Sequence, residues 1–314
     1  MDGHLDLAAI AGPAPLRTLS SDQPPLALGV SLQGYRRDPS VVDHYVAKAG
    51  RPPAVVHMFH GLQPGSGPPL HALAAARAVG ALPLLSWEPK EGLDPILRGE
   101  RDVEISRYAH AIGVLGHPVL LRFGHEMNLP GMGWFGAAER FVAAWRRVRA
   151  AFDEAGAHNV TWVWCPYVHD RGMRRFEPYY PGHDVVDVLA LDGYNWGRRR
   201  WWHRWRSFDA IFGPSYAALR RLAPGKPMLL AELGCAETGG DKSGWMRQAL
   251  LHAIPERYPA IDAVIWFDHH RPDHADWRID SSPAALAAWQ EIVADHRYQL
   301  RGAELVDRLC RFRD

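Results

Sequence analysis

The stretch PVLLRFGHEMN (118–128) runs apolar for four residues, turns charged at Arg122, and ends in a histidine, a glutamate and an asparagine. Such a run reads as a parallel strand covered on both faces by helices, with its polar groups gathered at the C-terminal end. Seven other runs share the form: LALGVSL (26–32), AVVHMFH (54–60), LPLLSWE (82–88), VTWVWCP (160–166), VVDVLALDGY (185–194), KPMLLAEL (226–233) and IDAVIWFD (261–268). Longer segments with helical spacing separate them. Phe141, Ala144, Trp145, Val148 and Phe152, for example, recur at intervals of three and four, the stripe of a helix buried on one face. Gly50, Gly80, Gly116 and Gly156 fall where helices must stop before the next strand.

Eight alternations within one composition predict an α/β chain folded as a single-domain (β/α)8 TIM barrel over residues 26–300. Residues 1–25, rich in Ala, Pro, Ser and Asp, read as a flexible N-terminal arm, and 301–314 as a C-terminal tail. A doubly wound open sheet is the competing arrangement. Against it, no G-x-G-x-x-G follows the first run, and polar residues close many strands rather than gathering at one switch point.

Composition narrows the function. A net charge of +1 over 314 residues gives no global electrostatic reason to bind nucleic acid or a membrane, and no apolar run is long enough to span a bilayer. Three widely spaced cysteines make neither a disulfide framework nor a C-x-x-C pair. The N-terminus lacks a leader pattern, so the chain reads as cytoplasmic, or as secreted with a leader removed. Thirteen tryptophans suit both a core and the flat faces of sugar rings. A monomer without cofactor is expected.

In such a barrel the chemistry gathers at the C-terminal ends of the strands. Strand four brings His125, Glu126 and Asn128 there, strand seven Glu232, strand three Trp87 and Glu88, strand six Asp192, Tyr194 and Asn195, and strand eight Trp266 and Asp268. A single glutamate at a strand end is commonly a salt-bridge partner or a helix cap. Two that face one cleft supply what retaining glycoside hydrolysis needs, an acid and a nucleophile about 5–5.5 Å apart. Their pKa values must then be driven apart. Arg122, four residues before Glu126, is expected by strand parity to point inward with it and to pair with an ionised Glu232. Tyr194 can add a hydrogen bond, while Glu126, near Trp134 and Phe135, stays protonated. Arg122 reads equally well as a structural ion pair of the barrel interior.

At these residues the chain resembles a known family. RFGHEMN, the pair Trp134–Phe135, AAERFVAAWRRVRAAFDEAGAHNVTWVWCP (137–166), EPYYPGHDVVDVLALDGYN (177–195), KPMLLAELG (226–234) and IWFD follow one another as in glycoside hydrolase family 26. This is a clan A family of retaining β-mannanases that also holds β-glucanases and β-1,3-xylanases. The likeness covers roughly residues 55–270, and the His-Glu pair is its distinctive element. It implies Glu126 as acid/base and Glu232 as nucleophile, in an endo-β-mannanase- or β-glucanase-like enzyme of polysaccharide degradation. It further implies substrate contacts from His125, Asp192 and Tyr194, and a Trp266 platform under the sugar before the cleaved bond. Trp87 matches an aromatic at the end of strand three more loosely. The loop LPGMGWFG (129–136) is longer than the mannanase pattern and carries only Trp134 and Phe135, so it does not by itself specify mannan.

Two other readings stand beside this one: a metal-dependent barrel hydrolase drawing on the seventeen histidines, and a catalytically silent barrel that only binds polysaccharide. No H-x-H or H-E-x-x-H supports the first, and no metal ligand is assigned. RRRWWHRWR (198–206) reads either as a lid that stacks sugars and attracts an anionic polymer or as packed tryptophans under solvated arginines.

Overall fold

The structure is a computed structural model that describes residues 24–169, 174–198 and 200–311. Apart from Pro24 and Pro25, the expected N-terminal arm lies outside the described residues. In chain order the first half runs β1 (Ala27–Leu32), α1 (Val41–Ala49), β2 (Val55–Leu62), α2 (Leu70–Ala78), β3 (Leu82–Pro89), α3 (Asp94–Leu97), α4 (Asp102–Leu115), β4 (Val119–Phe123) and α5 (Ala138–Glu154). The second half runs β5 (Val160–Trp164), β6 (Val188–Asn195), α6 (Phe208–Leu222), β7 (Met228–Cys235), α7 (Lys242–Arg247), α8 (Ile254–Arg257), β8 (Ile261–Asp268), the hairpin β9 (His270–Arg271) and β10 (Ala275–Asp276), α9 (Pro283–Ala294) and α10 (Gly302–Cys310). Strands β1 to β8 pair in order and β8 returns to β1, all parallel, so the barrel is closed.

The expected strands all form. The helix alternation breaks once: between β5 and β6 the described residues hold only a short 3-10 turn, Glu177–Tyr179. Gly50 and Gly116 end α1 and α4 in the left-handed conformation that a Cβ disfavours.

Side chains alternate across each strand and split the core in two. Val55, Leu84, Leu120, Val163, Ala190, Leu229 and Ile265 fill the barrel interior. Between strands and helices lies a thicker layer that takes Trp87, Trp145, Trp162, Trp164, Trp266 and Trp289. Much of the tryptophan count is therefore structural. The stretch read as a tail contains α10, whose Leu305 and Leu309 are buried in the inner cluster. Gly302 lies so close to the backbone that a Cβ would sit 2.7 Å from the Leu82 nitrogen. Residues 301–311 thus plug the barrel floor, an amphipathic role that a short final segment did not betray.

Candidate active site

β4 ends at Phe123, three residues earlier than the sequence pattern suggests. Gly124 (φ +54°) turns the chain where a Cβ would stand 2.9 Å from the Phe141 ring. Glu126 follows, also at φ +54°, and among the described residues no other non-glycine has a positive φ. Such a conformation costs on the order of 1–3 kcal/mol and persists only where its surroundings enforce it. Here the Glu126 N–H donates to the Cys165 carbonyl at 2.8 Å, and its carbonyl accepts from the Leu129 N–H at 2.9 Å. Trp134 Nε1 donates to the His125 carbonyl at 2.7 Å. Strand parity with Arg122 is thus not what aims Glu126; a strained turn is. Asn128 holds the same turn from beyond, its amide exchanging two 2.9 Å hydrogen bonds with the Tyr167 backbone.

Glu232 reaches the cleft by a different device. Leu229 and Ala231 face the barrel interior, so simple alternation would turn residue 232 outward. The register of β7 shifts against both neighbours, after Leu191 on β6 and between Leu230 and Leu233 on β7, and Glu232 comes to pair with Asp192. This irregularity re-aims a side chain as β-bulges beside active sites do.

Beside Glu232 sits Arg122, fully buried. Its Nη1 donates to both Asp192 oxygens at 2.6 Å, and its Nη2 donates to Glu232 Oε1. Nε donates to Ser86 Oγ at 2.6 Å, and Nη2 also lies 3.1 Å from His57 Nε2. The Tyr194 hydroxyl donates to the other Glu232 oxygen, Oε2. Burial works against the Arg122 charge, but Asp192 and Glu232 outweigh it and hold the guanidinium cationic.

Three acids and one guanidinium cannot all ionise cheaply. Burial, then the Asp192 and Glu232 charges, push Glu126 well above the usual carboxylate range. Burial also pushes Asp192 up to about 8, with Arg122 pulling against it and Glu232 adding. Of the two acids that burial raises, Glu126 holds its proton the more firmly, because Arg122 stabilises charge directly on Asp192 and among the described residues nothing donates to the Glu126 carboxyl. Burial and then Arg122 hold His57 and His125 neutral, with Lys90 and Arg271 adding at His125. Burial likewise keeps the Cys165 and Cys235 thiols protonated.

Among the described residues, His125, Asp192 and Glu232 are close enough to share a metal ion, one donor atom of each lying within 4.8 Å of the others. The set does not suit one. Both Asp192 oxygens and both Glu232 oxygens already accept hydrogen bonds, three of these four from Arg122. A dication there would face a guanidinium.

Of the expected substrate contacts, the structure gathers His125, Asp192, Tyr194 and Arg122 around the glutamates and leaves three aromatics elsewhere. Trp87 is fully buried and stacks on Tyr108 at 4.3 Å, on the helix side of β3. Trp266 is fully buried beside Trp289 of α9, its Nε1 donating to the Trp277 carbonyl at 2.7 Å. Each stands one position out of phase with the inward residue, Ser86 or Phe267, and can offer a sugar no face. Trp134, 4% exposed, supports the His125 turn from below. Asp268 accepts from the Ile279 N–H at 2.7 Å, and Glu88 pairs with Lys90.

Further aromatic rings that the sequence did not single out pack against the site residues. Phe59 packs 5.6 Å from His125 and 6.4 Å from Phe267. Trp277 lies 5.0 Å from Tyr194 and 5.1 Å from Trp196. Counting by twos from His57 and Ile265 would have found Phe59 and Phe267. Trp277 follows a hairpin and carried no such signal.

Arg122→Met is expected to lower unfolding stability by about 3–5 kcal/mol, since it strands two buried carboxylates. Urea midpoints would check this, and a loss below about 1 kcal/mol would mean that the acids are already neutral.

Residues 103–233 match the family model for glycosyl hydrolase family 26. Endoglucanase H of Acetivibrio thermocellus is 31% identical over 299 residues, which span 92% of this chain and 33% of that protein. Mannan endo-1,4-beta-mannosidase A and B of Caldalkalibacillus mannanilyticus is 28% identical over 169 residues, 50% of this chain and 29% of that one. The chain thus spans about a third of the length of these curated relatives. The catalytic domain of the Bacillus sp. JAMB-750 GH26 endo-beta-1,4-mannanase shares the fold, with a TM-score of 0.66 at 19% identity over 89% of this chain and 88% of that one. The match covers strands four to seven, which carry the His-Glu turn, the Asp192–Tyr194 strand end and Glu232, and with these relatives it places the chain in glycosyl hydrolase family 26.

Proposed function

We propose that the protein is a retaining glycoside hydrolase acting on a β-linked polysaccharide of the mannan or glucan type, with Glu232 as nucleophile and Glu126 as acid/base. The observation that carries this reading is the unlike treatment of two buried glutamates. Both oxygens of Glu232 are held by donors, Arg122 and Tyr194, which favours an oriented carboxylate. Glu126 lacks such donors among the described residues and is pushed toward its protonated form.

In the first step a Glu232 oxygen attacks the anomeric carbon as the bond to the leaving oxygen breaks, and Glu126 gives that oxygen its proton. The product is a glycosyl ester on Glu232. In the second step Glu126, now a carboxylate, takes a proton from water, and the resulting hydroxide equivalent attacks the same carbon and frees Glu232. Arg122 and Asp192 fix the position of Glu232 throughout. The names of the two curated relatives, an endoglucanase and a mannan endo-mannosidase, support the substrate class.

The experiment is proton NMR of the first products from β-mannan and from mixed-linkage β-glucan. The β-anomer is expected to accumulate before mutarotation. Initial α-anomer would mean inversion, and no release from either polymer would remove the substrate class.

A further inference from the structure

Over its described residues, 196–198 and 200–206, the loop from Trp196 to Arg206 is built rather than slack. Asn195 clamps its neck, accepting from the Gly197 N–H at 3.2 Å and donating through Nδ2 to the Arg206 carbonyl at 3.1 Å. Trp245 Nε1 also donates to that carbonyl, at 2.8 Å. Arg198 N–H donates to the Thr238 carbonyl at 2.9 Å, and Trp205 packs down where a Cβ on Gly240 would lie 2.3 Å from its ring. Trp205 is therefore structural. Trp201 and Trp202 are not: they stand 84% and 49% exposed.

These two rings are continuous with the active site. Tyr194, which donates to Glu232, lies 5.7 Å from Trp196, and Trp196 donates through Nε1 to the Tyr167 hydroxyl at 3.0 Å. Trp196 lies 5.4 Å from His203, His203 lies 5.7 Å from Trp202, and Trp202 lies 5.4 Å from Trp201. An unbroken series of aromatic rings thus leads from the candidate nucleophile to open solvent. Exposing two indoles forgoes burial worth about 25 cal/mol per Å², and sugar faces are natural partners for such rings.

Charge selects among polysaccharides. Residues 196–206 include no acid, and Arg200 stacks on Trp202 at 5.3 Å. Arg198 and Arg200 are exposed and make no ion pair with an acid among the described residues. Arg271, on the β9 hairpin, lies 5.2 Å from the Phe267 ring. In a chain of net charge +1, this local excess favours an anionic polymer.

We infer that the 196–206 loop is an outer binding surface for a β-linked polysaccharide bearing carboxylates, in which Trp201 and Trp202 stack sugar rings and Arg198 and Arg200 pair with the acidic groups. This rests on the proposed hydrolase reading for the cleft, and names the substrate that the cleft receives.

The test uses polymannuronate and β-mannan, which share a backbone and differ in charge, with binding measured on Glu232→Gln to prevent turnover. Polymannuronate is expected to bind at least about tenfold more tightly at low salt, the advantage fading as salt rises. Trp201→Ala/Trp202→Ala should weaken that binding about tenfold, and Arg198→Gln/Arg200→Gln should remove most of the salt dependence. In the otherwise wild-type enzyme, neither double variant should change hydrolysis of a short aryl β-glycoside. Equal affinity for the two polymers, or unaffected loop variants, would overturn the inference. Tighter binding of single-stranded oligothymidylate than of polymannuronate would reassign the surface to nucleic acid. Failure of the wild-type enzyme to cleave any aryl glycoside would strike the cleft reading instead, leaving the binding comparison standing on its own.

Discussion

Glu232→Ala is expected to abolish turnover, with kcat falling on the order of 10⁴-fold or more on any substrate. Among the described residues no neighbour can replace the proposed nucleophile. Asp192 is nearest in register, but Arg122 grips both of its oxygens at 2.6 Å. The variant should remain folded, since it relieves the guanidinium of one partner and leaves it the other. Glu232→Gln, which keeps an acceptor for Arg122 and Tyr194, should be just as inactive and at least as stable. Steady-state kinetics beside urea melts would check both. A Glu232→Ala enzyme retaining a tenth of wild-type rate would require a different nucleophile.

Glu126→Ala has the second-largest expected effect, a loss of about 10²–10⁴-fold on a polysaccharide, whose leaving oxygen needs a proton. On an aryl glycoside with a good leaving group the first step survives and the second becomes slow. Azide, small enough to occupy the vacated space and needing no general base, should then restore rate and yield a β-glycosyl azide. The pH profile gives a second readout. Glu126 is raised above the ordinary carboxylate range by burial and by its acidic neighbours, so its proton persists toward neutrality. The proton is lost, and activity with it, as pH rises through that raised pKa. The alkaline limb of kcat/KM should therefore vanish in Glu126→Ala. Absence of rescue together with an unchanged alkaline limb would remove Glu126 from the acid/base role.

The barrel was legible because burial on both faces writes long apolar runs, and eight of these with helical spacers leave few alternatives. The positions of Glu126 and Glu232 along the chain were equally legible, as acids closing such runs. How each enters the cleft was not. Glu126 turns in on a positive φ beyond the end of β4, and Glu232 on a register shift in β7; both depend on backbone geometry that residue type does not encode. The aromatic contacts failed for a simpler reason. Trp87 and Trp266 sit at the right height on their strands but on the wrong face, where period-two alternation sends them to the helices. Phe267, next to Trp266, is the inward residue, and a stricter count would have chosen it. Asn128, which the sequence placed at the rim without a role, spends its amide on the backbone of Tyr167 and Arg174. The loop 198–206 divided between its two readings, Trp205 packing down and Trp201 and Trp202 facing solvent.

The most direct measurement is covalent capture at the anomeric centre. A fluorinated glycoside with an activated leaving group slows both steps yet lets the first proceed, so a two-step enzyme accumulates its ester. Peptide mapping by mass spectrometry after brief incubation should find one sugar per chain, on the peptide containing Glu232. A sugar on any other residue, or an unlabelled enzyme that turns the same compound over with inversion, would contradict the double-displacement mechanism.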